Sequence, residues 1–431
     1  MRCLPADGLY GVILFSARTR PTSRDCCASE SALATLSRWL VAVTLLVIVS
    51  GCATLTPRNV LPESLVDEAE LVGMPGIRLW GDASAREIDA VLASAQSRGD
   101  LVRITAEHPK VFNMLAISGG AEDGAFGAGL LAGWGAAGTR PRFHYVTGVS
   151  AGALIAPFAF LGAKGDKPLR EMFTRYGQSD ILTANVLPGL FGGSAVADSA
   201  PLARLIEMYV DARFLKEIAD ERRKGRLLLI GTTNIDAQRP VMWDMGRIAM
   251  SNHREALSLF RKVLLASASV PGAFPPVRFK VRADGRTYEE MHVDGGITQQ
   301  VFLAPNGLAF KELDRRFGAS ATRRLYIIRN GKITPEWEAV EERVLPIAQR
   351  SISTLIKSQG IGDLYRMHAT ARRDGIDYNL AAIPADFNAK SNGPFDRTYM
   401  IALFALGEKQ GRNGYRWLKA PPGLEAVVSR D

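Results

Sequence analysis

Cysteine is missing from residues 53–431: all four copies, Cys3, Cys26, Cys27 and Cys52, lie in the first 52 residues. The body therefore has no disulfide frame and no cysteine-held zinc or iron–sulfur site. Histidine is scarce as well. The five copies, His108, His144, His253, His292 and His368, show no His-x-x-x-His spacing, so no structural metal is expected. No apolar run reaches the ~20 residues that span a bilayer comfortably. The net charge is +9, yet no basic run interleaved with aromatics suggests nucleic acid. The densest basic cluster, Glu221–Arg226, reads as a solvated helix end. What is present is a globular composition, 47% hydrophobic and 23% charged, with room in 431 residues for a large α/β domain and additions.

Residues 1–51 read as a targeting segment. Arg38 precedes "WLVAVTLLVIVSGCA" (Trp39–Ala53), a short apolar run with a small-residue exit. Its end, "VSGC", resembles a bacterial lipobox, in which the cysteine is acylated and becomes the mature N-terminus. The resemblance implies a signal peptide over 1–51, lipidation at Cys52 and a membrane anchor in a bacterial cell envelope. Ala53 after the cysteine is compatible with the outer membrane, facing the periplasm. The 38 residues ahead of the run are long for such a signal. A basic surface on an anchored protein would favour anionic headgroups.

Residues 52–110 read as a tether ending in a helical segment, Ala83–Gly99. From Val111, strand–turn–helix occurs twice within about 50 residues: "VFNMLAISGG" into the small-residue helix Gly124–Gly138, then "FHYVT" into Ala153–Gly162. That repetition predicts parallel βαβ units. Arg226–Ile235 and Arg323–Asn330 supply further buried strands. The main α/β body is expected over 111–330, and 331–431 as a mainly helical C-terminal extension.

Two loops and one Asp-Gly pair carry chemistry. In "GVSAG", Gly148 and Gly152 flank Ser150 where a strand passes into a helix. Such an elbow holds a serine at a helix N-terminus, where glycines relieve crowding around a strained residue. A tight turn with an N-capping serine is the plainer reading. The loop "ISGGAEDGAFGAG" offers backbone N–H groups suited to an oxyanion. It also suits close helix–strand packing, or a dinucleotide phosphate. Its glycine order is not G-x-G-x-x-G, and no acid ends the following strand. In "HVDGG", Asp294 before Gly295 and Gly296 could be a base, or an Asx-turn. The order Ser150, Asp294, His368 also fits an α/β-hydrolase triad, but His368 sits in an ordinary amphipathic helix pattern. His292 reads as structural, Trp243 and Met245 as core. Asn234 and Asp236 are the polar groups able to line a cleft.

Together with "ASASVPGAFPPV" (Ala266–Val277), these motifs occur in the order seen in patatin-like phospholipases of bacteria, which the chain resembles over roughly 111–300. The resemblance implies a three-layer patatin-like α/β fold with a mostly parallel central sheet. It also implies lipid acyl hydrolysis through an acyl-enzyme, with Ser150 as nucleophile and Asp294 as base. Gly119, Gly120 and Ala121 correspond to its oxyanion loop. No metal or organic cofactor is implied, and the substrate would be membrane phospholipid or another acyl ester. Two residues depart from the pattern. Ala121 replaces a usual glycine, and Asp123 stands where many members carry Arg or Lys. An acid near an oxyanion opposes catalysis, so a catalytically weak lipid-binding lipoprotein is one alternative, and a soluble carboxylesterase another.

Overall fold

Short apolar strands separated by helices build one ten-stranded sheet, as a computed structural model of the chain shows. The described residues are 58–97, 109–184, 195, 197–317 and 321–424; the expected signal segment 1–51 and Cys52 lie outside them. In chain order the strands are β1 (Glu70–Leu71), β2 (Arg78–Trp80), β3 (Val111–Ile117), β4 (Tyr145–Val149) and β5 (Leu227–Asn234). They continue as β6 (Arg239–Asp244), β7 (Val277–Ala283), β8 (Arg286–Asp294), β9 (Thr322–Lys332) and β10 (Asp377–Ile383).

The run β10-β9-β3-β4-β5 is parallel throughout. Its strands are buried on both faces, which is why they read as continuous apolar runs. The other half is antiparallel: β5 pairs with β6 and β8, β8 with β7, and β7 with β1. Strand β7 alternates buried and exposed residues along its length, the pattern of a sheet with one wet face.

Helices cover both faces, giving three layers. On one face, α1 (Gly124–Ala136), α2 (Ala151–Leu161), α4 (Ala256–Ser267) and α6 (Arg397–Arg412) pack over Leu115, Ile117, Val146 and Ile230. A further helix, α3 (Ala200–Tyr209), joins them, its first N–H held by Asp198 at 2.9 Å. On the opposite face, Leu364, Met367 and Ala371 of α5 (Val344–Asp374) pack over Met114, Ala116 and Ile327. No helix among the described residues is long and apolar enough to cross a membrane.

The described residues beyond 331 are dominated by two helices, but they also supply a strand. β10 continues the parallel run beyond β9, and α6 lies against α1. Glycines make that approach possible. A Cβ on Gly129 would stand 2.1 Å from Phe404 O, and one on Gly407 2.3 Å from Phe126 O. The small-residue helix α1 therefore meets another helix backbone to backbone as well as the sheet, and any larger residue at the contact would force the two apart.

Candidate active site

Strand register brings Ser150 and Asp294 together. β4 and β8 share one edge of β5, end to end: Val149 of β4 pairs with Gly231, and Asp294 of β8 pairs with the next residue, Thr232. The serine follows Val149 directly, so both side chains enter one cleft. Gly295 fits this junction only without a side chain, since a Cβ would lie 2.4 Å from Gly231 O. The Asp-Gly-Gly motif is thus a packing requirement as well as a turn.

Ser150 sits at φ +54°, ψ −124°, a conformation that costs a non-glycine residue about 1–3 kcal/mol. The surrounding fold holds it there. Its N–H donates to Ser267 Oγ at 3.0 Å, and that hydroxyl donates to Gly231 O at 2.6 Å. Gly152 lets α2 approach β3, since a Cβ would meet Ile117 O at 2.3 Å, and Gly148 lets β4 approach Gly152 O at the same distance.

Asp294 is buried, and burial pushes its carboxyl up to about 6, against the pull of the neighbouring Ser150 hydroxyl and the Gly296 N–H. Oδ1 accepts from Gly296 N at 2.7 Å. Oδ2 is enclosed and has no partner at full hydrogen-bond geometry. A carboxylate so placed, beside a hydroxyl and short of one hydrogen bond, can take a proton.

The glycine loop after β3 differs from expectation in two respects. Gly119 N donates to Gln300 O at 3.0 Å, so that N–H is already used. Gly120 and Ala121 make no backbone N–H bond of this kind, and the first N–H groups of α2 have no intrahelical partner. Ala121 stands at φ +48°, so alanine in place of glycine costs roughly 1 kcal/mol there.

Strand β9 braces this loop. Asn330 Nδ2 donates to Ser118 O at 2.8 Å, and its N–H to Ser118 Oγ at 2.8 Å. Arg329 Nη1 reaches Ser118 Oγ and Gly119 O, each at 3.2 Å. The Arg329 guanidinium is buried, which lowers its pKa, and the Asp123 carboxylate exerts the largest opposing pull. Sequence reasoning missed Ser118, Ser267, Gln300, Arg329 and Asn330. The signal for the β9 pair was available: polar residues closing the C-terminal end of a buried parallel strand point into the crevice where open α/β sheets bind ligands.

Asp123 faces the same cleft. Burial raises its carboxyl to about 6, opposed mainly by Tyr399 of α6, whose hydroxyl donates to Oδ1 at 2.6 Å. The other candidates lie apart. His292 is fully buried between Trp243 and Phe279, with Nδ1 on Thr232 at 2.9 Å and Nε2 on Glu290 at 3.1 Å. Burial lowers its pKa. His368 packs edge-on to Tyr378 on α5, outside the cleft. Asn234 caps its own turn, and Asp236 pairs with Arg58 at 2.6 Å. Trp243 and Met245 are core.

Two spaces meet at Ser150. One is an almost wholly apolar pocket, walled by Leu154, Phe173, Leu205, Ile206, Phe274 and Met400. The other is the polar cleft bearing Asp294, Arg329 and the N-terminal half of α5. A serine at the junction of an apolar and a polar space can present its oxygen to an ester whose chain lies in one and whose head lies in the other. No group of metal-binding side chains occurs among the described residues.

Residues 115–305 match the family model described as patatin-like phospholipase. No curated protein matches the chain. Among solved structures, that of VipD from Legionella pneumophila is similar at 13% identity, covering 71% of this chain and 67% of that one, with a TM-score of 0.30.

Proposed function

We propose that this chain is a lipid acyl hydrolase of the patatin-like phospholipase type, working through Ser150 and Asp294. The observation that carries the reading is the register on β5, which sets a strained serine beside a buried carboxylate of raised pKa.

In this mechanism Ser150 Oγ attacks the acyl carbonyl carbon while Asp294 takes its proton. The carbonyl oxygen becomes an oxyanion held by the N–H groups of Gly120, Ala121 and Ala151. Collapse breaks the ester C–O bond, and the leaving alcohol recovers the proton from Asp294. Water then attacks the acyl-enzyme with Asp294 again as base, freeing the fatty acid and Ser150. Each step uses only the chain's own groups and water. The apolar cavity suits the acyl chain, and the cleft the alcohol half of a phospholipid or other ester.

Lipidation at Cys52 and a place in the outer membrane belong to the same proposal. Radiolabelled palmitate incorporated by the wild type and lost in Cys52→Ala would support the anchor; equal labelling of both would sink it.

The enclosed Asp123 favours one other reading, a patatin-like lipoprotein with blunted catalysis. A fluorescent phosphonate separates the two, because it forms an adduct only with an activated serine. Labelling abolished by Ser150→Ala and slowed about a thousandfold by Asp294→Asn is the expected result. Folded wild-type protein that never labels would overturn the hydrolase reading.

A further inference from the structure

A buried cation normally has a carboxylate against it, because its desolvation must be offset. Arg329 has none. It is 5% exposed, and its hydrogen bonds among the described residues, both from Nη1, go to the uncharged Ser118 Oγ and Gly119 O. Asp123, Asp363 and Glu336 pull on it only from a distance. The other three cations lining the polar cleft are different. Lys357 pairs with Glu336 at 2.8 Å, Arg350 with Glu338 at 2.9 Å, and Lys332 faces Glu336 at 3.9 Å.

The fold leaves space for this guanidinium. A Cβ on Gly360 of α5 would stand 3.1 Å from Arg329 Cζ, and one on Gly331 of β9 3.5 Å. With Nη1 occupied by the loop, the edge formed by Nε and Nη2 makes no hydrogen bond among the described residues, and neither nitrogen is fully enclosed. That edge presents two parallel N–H donors, the pattern that fits two oxygens of a phosphate.

The nucleophile is close by. Nη1 reaches Gly119 O at 3.2 Å, and a Cβ on that glycine would stand 3.1 Å from Ser150 Cβ. A single residue of the loop therefore separates the cation from Ser150, within one cleft.

We infer that Arg329 binds the phosphodiester of a glycerophospholipid whose ester lies at Ser150, and so selects phospholipid over neutral acyl esters. Such a lipid carries its phosphate on the glycerol carbon next to the one bearing the middle ester. With the acyl chain in the apolar pocket, which Arg329 does not line, the phosphate falls in the polar cleft, which it does. The inference rests on the acyl-ester reading of the site. Asp123 supplies the rival account, in which Arg329 only offsets a buried acid. That carboxyl is already held by the Tyr399 hydroxyl at 2.6 Å.

The test compares two short-chain esters on the full chain, dihexanoylphosphatidylcholine and dihexanoylglycerol. Arg329→Gln should lower kcat/KM for the phospholipid about tenfold more than for the neutral ester, since only one of them loses a charge-assisted pair. Arg329→Lys keeps the charge but not the two-donor edge, and should lose about threefold in the same ratio; it serves where Arg329→Gln does not fold. Equal losses on both esters would make Arg329 a brace for the loop and overturn the inference. So would full recovery of selectivity in the double variant Arg329→Gln, Asp123→Asn, because charge offset would then be the arginine's whole task.

Calorimetric binding of the same phospholipid to Ser150→Ala, with and without Arg329→Gln, separates this inference from the hydrolase reading. Arg329-dependent binding by a protein whose wild type turns over neither ester would sink the hydrolase and leave the phosphate site standing. Inorganic phosphate that binds as tightly as the phospholipid, with the same dependence on Arg329, would make this a site for a free anion and overturn the inference.

Discussion

Ser267, the last residue of α4, accepts the Ser150 N–H at 3.0 Å and donates its own hydroxyl to Gly231 O at 2.6 Å. One side chain thus fixes the strained elbow to β5, the strand with which Asp294 of β8 pairs. Ser267→Ala leaves a buried donor and a buried acceptor unpaired, at a cost of about 1–3 kcal/mol. The expected outcome is a lower unfolding midpoint, together with a kcat on a soluble ester reduced about tenfold and a KM little changed. A rise in KM alone would mean that Ser267 shapes binding and leaves the nucleophile's position unaffected.

Asp294 sets opposite pH trends for activity and stability. Its carboxyl must be ionised to act as a base, so kcat/KM should rise through pH 6 and level off above 7. Stability runs the other way. The folded pKa of about 6 lies above the ordinary 3.8, so folding favours the protonated form. That contribution is complete below pH 4 and lost as pH rises through 6. Asp294→Asn should therefore be inactive yet more stable than wild type at pH 8, by up to about 3 kcal/mol, with the gain gone at pH 4. Urea denaturation at the two pH values checks this, and equal stability at pH 8 would contradict a buried, ionised base.

Asp123 titrates in the same range but acts in the opposite sense. Once ionised above pH 6 it places negative charge beside the oxyanion loop, offset in part by Arg329. Asp123→Asn keeps an acceptor for the Tyr399 hydroxyl and removes the charge. Activity at pH 8 should increase about fivefold, from ~1 kcal/mol of relieved repulsion at an effective dielectric of about 20. At pH 5, where both side chains are neutral, the two proteins should match. A variant slower than wild type at pH 8 would make Asp123 a contributor to catalysis.

Sequence patterns revealed four of the five parallel strands and both catalytic candidates, because these depend on local signals: apolar runs punctuated by glycine, and a serine or aspartate held in a turn. Strand β10, inside the expected helical extension, was missed. The rest of the site depends on long-range register. That Ser267 would meet Ser150, or Gln300 cover Gly119, follows from which strands share the edge of β5, and nothing local to residues 267 or 300 encodes it. Ala121 illustrates the same limit. The loop passes so close to β9 that a Cβ on Gly120 would stand 2.2 Å from Asn330 O, and the positive φ of Ala121 that follows was invisible in the chain alone.

The apolar cavity should set chain-length preference. Leu205 lies on its wall, and Leu205→Trp would fill part of the space that a long acyl chain needs. At ~0.8 kcal/mol per buried methylene, excluding two or three methylenes lowers kcat/KM for long-chain esters at least tenfold. Butyrate esters should be hydrolysed within about twofold of the wild-type rate. Equal losses on both would move the chain elsewhere.

The contact between α1 and α6 has a temporal consequence. Helix α6 closes on α1, and its Tyr399 holds Asp123 beside the oxyanion loop, yet α6 begins at Arg397, far downstream of Asp294. A ribosome making this protein completes Ser150 and Asp294 well before it completes α6. The nascent chain therefore carries both residues for a time without the hydroxyl that holds Asp123.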